Sequence, residues 1–141
     1  MDFLLDTCVL SEFVKPQPSA LVQNWMAAQA EDRLFVAALS LAELHRGVAR
    51  LPASKRRQEL AAWLTQLEAG FADRVLPFTG QTAGYWGVLA ARAESRGEKL
   101  SAFDSLIAAT AAEHGLALVT RNEKDFAAAA VVLINPWLLE A

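Results

Sequence analysis

The chain has 141 residues, 54% of them hydrophobic and 21% charged, which excludes a low-complexity or disordered chain and predicts one compact domain over residues 1–141. The net charge of −3 argues against a protein whose whole surface binds nucleic acid. Cys8 is the only cysteine, which excludes an internal disulfide framework, and no apolar run reaches membrane-spanning length, so we expect a cytoplasmic protein without membrane contact.

Short apolar runs bounded by polar residues predict five β-strands. These runs are FLL at 3–5, LFVAAL at 34–39, RVLPF at 74–78, LALVT at 116–120 and VVLI at 131–134. Apolar residues recur at helical spacing in the segments 9–14, 19–30, 40–51, 54–71, 80–97 and 101–115. Strands that alternate with helices predict an α/β domain, with a central parallel sheet of four to five strands flanked by helices on both faces.

Four acidic positions occur at the ends of predicted strands or near the starts of predicted helices: Asp6, Glu43, Asp104 and Asp125. Each of them has an explanation that involves no chemistry. Asp6 directly precedes a helix and could serve as its N-cap. The other three follow Ser40, Ser101 and Asn122 at the three-residue spacing of a capping box.

The joint placement of these acids favours a functional explanation. Asp6, Glu43 and the Asn122/Asp125 pair follow predicted strands, and the carboxyl ends of parallel strands lie along one edge of a sheet, where ligand sites form. The sequence alone does not place Asp104 at that edge. Two carboxylates about 5 Å apart repel by roughly 3 kcal/mol at an effective dielectric near 20, so a cluster needs protonation or a divalent cation. Ligands that are all oxygen atoms favour Mg²⁺ or Mn²⁺ over zinc.

Four segments, in this order and spacing, resemble one known family. They are LLDTCVLSE, SLAELHRGV, FDSLIAATAAEHGLALVTRNEKDF and the terminal INPW. Together they resemble the PIN-domain ribonucleases, particularly the VapC and FitB type toxins of toxin–antitoxin pairs, over essentially the whole chain. The resemblance implies a PIN-like fold and a homodimeric endoribonuclease that depends on Mg²⁺ or Mn²⁺ and cleaves RNA phosphodiesters with a metal-activated water. It also implies a VapB- or FitA-like antitoxin whose carboxyl-terminal segment lies across the active site.

The resemblance also implies roles for individual residues. The family's three acids fall on Asp6, Glu43 and Asp104, with Asp6 and Asp104 as metal ligands. The fourth acidic position of many members is Asn122 here, whereas other members carry the acid three residues later, as Asp125 does. We therefore assign Asp125 to the catalytic set and keep Asn122 as a neutral hydrogen-bonding alternative.

Two residues after the first strand complete the expected site. Thr7, beside Asp6, is expected to hydrogen-bond within it. Cys8 occupies a position that is often Asn in the family, which removes a side-chain amide. We expect Cys8 to pack against the site or to face its edge.

Basic residues near the acids have two possible roles. Arg46 and Arg50 share the helix face of Glu43, so they could form ion pairs or a basic rim that guides the RNA backbone or meets the antitoxin. Arg121 and Lys124 flank the expected site and are better candidates for phosphate contact.

Tryptophans and exposed apolar residues suggest an interface. Trp25, Trp63, Trp86 and Trp137 are interpreted as core or interface residues. Leu10, Phe13 and the helix that begins near Pro18 could supply a dimer face.

Other functions with acidic sites at strand ends fit less well. Receiver domains need adjacent acids after the first strand and a lysine after the last, whereas Asp6 stands alone. A PIN-like module that binds RNA or protein without cleaving it is the alternative. The joint presence of Asp6, Glu43 and Asp104 favours retained chemistry over this alternative.

Overall fold

Strands and helices alternate along residues 1–139, the part of the chain that the computed structural model describes. The strands in this range are β1 (Phe3–Leu5), β2 (Leu34–Ala37), β3 (Val75–Leu76), β4 (Ala117–Val119) and β5 (Leu133–Ile134). The helices are α1 (Thr7–Glu12), α2 (Ala20–Ala27), α3 (Ala38–Ala49), α4 (Lys55–Phe71), α5 (Gly80–Ser95), α6 (Ala102–His114) and α7 (Glu123–Phe126). The predicted single domain includes residues 140 and 141, which lie outside the described residues.

The five strands are parallel and form one sheet in the order β3-β2-β1-β4-β5. In the centre of the sheet, Phe3 of β1 pairs with Leu34 of β2 on one side and with Ala117 of β4 on the other. This arrangement confirms the predicted parallel sheet. Because the strands run in one direction, the residues that follow β1, β2 and β4 meet at a single edge.

The central strand β1 is buried on both faces because its side chains alternate between two hydrophobic cores. Phe3 and Leu5 pack in the core formed with α1 to α4. Leu4 packs in the opposite core, with α5 and α6. Leu4 and Leu5 are fully buried, and burial of each stabilises the fold by about 1.5–3 kcal/mol. The residue that follows β1, Asp6, is therefore held by a firmly anchored strand.

The predicted capping box at Ser40 and Glu43 is wrong, whereas the predicted caps of α6 are confirmed. The strand β2 passes directly into α3, so Ala37 occupies the N-cap position without a side-chain hydrogen bond. Ser40 is fully buried inside the first turn, and Glu43 is left without a capping role. At α6, the Ser101 side chain accepts a hydrogen bond from Asp104 N–H, and Gly115 ends the helix with φ of 63°.

The expected dimer face is also wrong in part. Leu10 is 3% exposed and belongs to the core, although Phe13 is 40% exposed. Further exposed apolar side chains lie on α5, where Tyr85, Trp86 and Val88 are 47%, 39% and 55% exposed. In residues 1–139, no helix combines the length and the hydrophobicity needed to cross a membrane.

Candidate active site

Asp6 lies at the carboxyl edge of the sheet, where it caps α1. Its Oδ1 accepts a hydrogen bond from Thr7 N–H at 2.8 Å, and its Oδ2 accepts one from the Thr120 hydroxyl at 2.8 Å. The residue is only 6% exposed. Burial raises the pKa of the Asp6 carboxyl, the nearby charge of Asp104 raises it further, and the hydrogen bonds from Thr120 and Thr7 offset only part of the rise. The Asp6 side chain therefore acts as the N-cap of α1, but its hydrogen bonds only partly offset the effects that raise its pKa.

Glu43 joins Asp6 through Thr7. The Thr7 hydroxyl donates a hydrogen bond to Glu43 Oε1 at 3.1 Å, which links α1 to α3. Burial raises the pKa of the half-buried Glu43 carboxyl, and the charges of Asp6 and Asp104 raise it further, whereas the bond from Thr7 lowers it. The expectation that Thr7 hydrogen-bonds beside Asp6 is met by this contact.

Asp104 reaches the same site from the first turn of α6. Its backbone N–H donates to Ser101 Oγ at 3.2 Å. In the described part of the chain, no return bond joins the Asp104 carboxylate to Ser101 N–H, so this carboxylate takes no part in capping. Its charge raises the pKa of both Asp6 and Glu43. The charge of Asp104 thus acts on both other acids, although the sequence did not predict its position.

Thr120 is a site residue that sequence reasoning missed. It is fully buried directly after β4, and its hydroxyl donates to Asp6 Oδ2 while accepting a hydrogen bond from Asn122 N–H at 3.0 Å. The available signal was its position: Thr120 ends the predicted strand LALVT, just as Asp6 follows FLL. Neighbouring parallel strands that end together place these two side chains side by side.

Cys8 faces the site, as expected. Its thiol donates a hydrogen bond to Asp6 Oδ2 at 3.7 Å, and its sulfur accepts one from Arg121 N–H at 3.4 Å. Burial and the charge of Asp6 raise the pKa of the thiol. Cys8 is therefore a neutral donor to Asp6 rather than a thiolate.

Asn122 directly precedes α7, and Asp125 lies within that helix. The Asn122 side chain makes no capping bond there. Asp125 is exposed, and its backbone N–H closes the turn on Asn122 O at 3.0 Å. Neither the hydrogen bonds of Asp6 and Glu43 nor the charge effects that dominate there involve Asp125. Its assignment to the catalytic set stays a prediction.

The four basic residues singled out from the sequence are exposed at the rim. They are Arg46, Arg50, Arg121 and Lys124. The charge of Arg46 lowers the pKa of Glu43, although in residues 1–139 the two form no ion pair within 4.0 Å. Arg121 is the one whose backbone contacts the site directly, through Cys8.

Glu12 is a buried acid that the sequence analysis did not single out. Its side chain is 5% exposed at the end of α1, where it pairs with Lys15 Nζ at 2.8 Å and accepts a hydrogen bond from Ser19 N–H at 3.0 Å. The hydrogen bond from Lys15 lowers the pKa of Glu12, and the bond from Ser19 and the charge of Arg121 lower it further, against the effect of burial. Groups of the protein itself thus stabilise the negative charge of Glu12.

A groove leads away from the acids between α1, α3 and α4. Its volume is about 280 Å³, and Thr7 and Glu43 line one end of it, with Leu44, Val48 and Trp63 among the apolar lining residues. A separate cavity of about 690 Å³ lies between α5 and the segment 128–131. None of the three acids lines that second cavity.

The donor set of the site suits a hard divalent cation. Within residues 1–139, no group of three or more His, Cys, Asp or Glu side chains is arranged so that it could hold a metal ion. Mg²⁺ does not require such a group, because it keeps several waters and is commonly held by one or two carboxylates together with substrate phosphate. Two carboxyls whose pKa is raised by burial and by a third acid would be stabilised as anions by such a cation. The residues present therefore fit Mg²⁺ or Mn²⁺.

The sequence matches a family and two curated proteins over almost its whole length. The PIN domain family matches residues 3–132. The chain is 38% identical to toxin FitB of Neisseria gonorrhoeae over 135 residues, which cover 95% of this chain and 97% of that protein. It is also 38% identical to VapC ribonuclease Y4jK of Sinorhizobium fredii, with 95% of this chain and 96% of that protein covered.

A solved structure agrees closely with the fold. The structure of FitAB bound to an IR36 DNA fragment matches with a TM-score of 0.92 and 36% sequence identity, covering 99% of this chain and 98% of that one. The match extends over the sheet and both helical layers, and therefore over the elements that carry Asp6, Glu43 and Asp104.

Proposed function

The chain belongs to the PIN domain family, and from this premise we propose that it is a divalent-metal-dependent endoribonuclease and the toxin of a toxin–antitoxin pair. The observation that carries the proposal is that Thr7 links Asp6 to Glu43 at the carboxyl edge of the sheet, where the charge of Asp104 acts on both carboxyls. Relatives with 38% identity that are named as a toxin and a ribonuclease support the same activity.

We propose that Asp6 and Asp104 hold Mg²⁺ or Mn²⁺ and that Glu43 acts on the attacking water. When bound, the cation activates a water and neutralises charge on the scissile phosphate. The Thr7 hydroxyl donates a hydrogen bond to Glu43 Oε1, so Oε2 would be the oxygen that accepts a proton from the water. Thr120 and Thr7 fix the two oxygens of Asp6, so the ligand is oriented before substrate arrives.

The proposed antitoxin occupies the groove between α1, α3 and α4. This groove is continuous with Thr7 and Glu43 and is lined by apolar side chains, so a segment bound there would also cover the acids. A solved relative is a FitAB complex. Because the proposed substrate is cellular RNA, we propose that the protein acts in the cytoplasm.

We also propose a homodimer, with the exposed α5 residues Tyr85, Trp86 and Val88 as its face. Exposed apolar side chains grouped on one helix can mark an interface. Sedimentation velocity at micromolar concentration should show a dimer for the wild type and a monomer for Val88→Glu. A monomeric wild type would refute this part of the proposal.

The activity is tested by cleavage of total cellular RNA in the presence of Mg²⁺ or Mn²⁺. We expect Asp6→Asn to reduce the rate by about a hundredfold or more, because a ligand of the cation that stabilises transition-state charge is lost. Asp32→Asn changes an exposed acid elsewhere by the same atoms and serves as the matched control. If the wild type binds RNA but cleaves it no faster than Asp6→Asn, the protein is the RNA- or protein-binding module instead.

A further inference from the structure

A turn near the end of the described chain packs against the rim of the acid site. It consists of Asn135, Pro136 and Trp137, directly after β5, and the Trp137 N–H donates to Asn135 Oδ1 at 3.0 Å. The Asn135 amide donates to Arg121 O at 3.5 Å and to Glu123 Oε2 at 3.1 Å. These bonds attach the turn to the segment that follows β4.

Arg121 is held at both ends. Its backbone N–H donates to Cys8 Sγ, and the preceding residue, Thr120, donates to Asp6. At the other end, the guanidinium carbon lies 5.4 Å from the centroid of the Trp137 ring, a distance suited to a cation–π contact. An exposed arginine normally loses much rotamer freedom when it binds a ligand. Here the contact with Trp137 restricts the side chain beforehand.

The cation–π contact leaves the hydrogen-bonding capacity of the Arg121 guanidinium intact. Such a contact uses none of the N–H donors, which lie along the edges of the planar group and match two oxygens of a phosphate. Among the described residues, Arg121 has no carboxylate within 4.0 Å. The acid that feels its charge, Glu12, is already bound to Lys15 and Ser19. The cation is therefore available to an external anion.

The position of Arg121 beside the acid site favours RNA as that anion. A polyanion that approaches Asp6, Glu43 and Asp104 is repelled by them, and a fixed positive charge next to the site offsets the repulsion for the neighbouring backbone. We propose that Arg121 binds an RNA phosphate adjacent to the one that is cleaved, and that Trp137 is the positioning residue that holds Arg121 for this contact. This inference rests on the proposed nuclease function.

The kinetic test compares Arg121 variants in the intact protein with total RNA as substrate. Arg121→Gln should raise KM about tenfold and leave kcat within about twofold, because the contact is made equally in ground and transition states. Arg121→Lys should recover only part of the loss, because lysine lacks the planar fork. Arg92→Gln removes the same charge from exposed α5 and should leave KM unchanged.

The binding test uses a labelled single-stranded RNA of mixed sequence, about 12 nucleotides long, a length within the usual range of single-strand sites. An Asp104→Asn background prevents cleavage and leaves the link between Asp6, Thr120 and Arg121 intact. Arg121→Gln should reduce the slope of log affinity against log salt by about 0.7, the value for one phosphate contact to single-stranded RNA. Arg92→Gln in the same background should leave the slope unchanged.

Trp137 is tested by its coupling to Arg121. Trp137→Leu should weaken RNA binding about threefold to fivefold, Trp137→Phe should keep most of the affinity because it keeps an aromatic face, and Trp137→Leu combined with Arg121→Gln should bind no worse than Arg121→Gln alone. Thermal melts confirm that each variant is folded.

Three results would overturn the inference: Arg121→Gln behaving like Arg92→Gln in KM and salt slope, additive losses in the double variant, or an effect confined to inhibition by the cognate antitoxin. The last would assign Arg121 to the protein partner. Failure of the nuclease proposal gives a different result. The wild type would then not cleave RNA, but the effect of Arg121→Gln on the salt slope of RNA binding could still be measured.

Discussion

Two buried carboxylates lie at opposite ends of α1, and their pKa values are shifted in opposite directions. Asp6, at the start of the helix, has its pKa raised by burial and by Asp104. Glu12, at the end of the same helix, has its pKa lowered by Lys15 and by the N–H of Ser19. Both side chains have little exposed surface, at 6% and 4%, but Asp6 has Asp104 as a charged neighbour, whereas Glu12 has Lys15.

This difference indicates that Glu12 has a structural role and Asp6 a functional one. A buried charge is tolerated when the fold supplies a counter-charge and hydrogen bonds, as it does for Glu12. Asp6 receives hydrogen bonds but has other acids as its charged neighbours. Such an arrangement of acids destabilises the fold unless a cation binds. This is the behaviour expected of a cation-binding site.

The largest effect short of removing an acid is expected at Thr120. Thr120→Val deletes the hydroxyl that orients Asp6 Oδ2 and keeps the side-chain shape. Loss of a residue that orients a metal ligand typically costs about 10- to 100-fold in metal affinity or activity. The cleavage rate as a function of Mn²⁺ concentration measures it. Thr110→Val, at another buried threonine, is the control, and equal rates in the two variants would contradict the assigned role.

The next effect concerns Glu12 and should be on stability. Glu12→Gln breaks the ion pair with Lys15 while keeping an oxygen for Ser19 N–H, so the free energy of unfolding should fall by about 1–3 kcal/mol. Urea unfolding measures the change. Asp6→Asn, which removes an incompletely compensated charge, should leave stability unchanged or raise it in the absence of metal. The comparison fails if both variants lose stability equally.

The pH dependence of stability should show opposite signs at the two acids. In metal-free protein, the raised pKa of Asp6 contributes stability that is fully present below its ordinary value of 3.8 and is lost as the pH rises through the folded-state value. The lowered pKa of Glu12 contributes stability present above 4.5 and lost as the pH falls through its folded-state value. Urea unfolding over a pH series with EDTA should show a weaker loss of stability with rising pH in Asp6→Asn, where the raised pKa of Glu43 still contributes, and a weaker loss with falling pH in Glu12→Gln.

The sequence predicts those parts of the fold and site that depend on local pattern. The strand FLL, with Asp6 after it, and the cap at Ser101 can be recognised because the determining residues are neighbours in the chain. The Ser40 and Glu43 spacing misled, because the helix begins at the end of β2 and not at the serine. A spacing shows that a cap is possible, but the start of the helix is decided by the packing of the preceding strand.

Contacts between distant segments account for what the sequence did not predict. Asp104 reaches Asp6 and Glu43 because α6 packs across the sheet, and Thr120 reaches Asp6 because β4 pairs with β1 in register. Glu12 was overlooked because an acid at the end of a short helix is usually exposed. Its burial depends on the chain returning at Ser19 to supply an N–H.

Titration calorimetry with Mn²⁺ tests most directly the proposal that Asp6 and Asp104 hold one cation. The wild type should bind Mn²⁺ at this site, Asp6→Asn and Asp104→Asn should each weaken binding by about tenfold or more, and Glu12→Gln should bind like the wild type. Unchanged binding in both aspartate variants, or an equal loss in Glu12→Gln, would contradict the account.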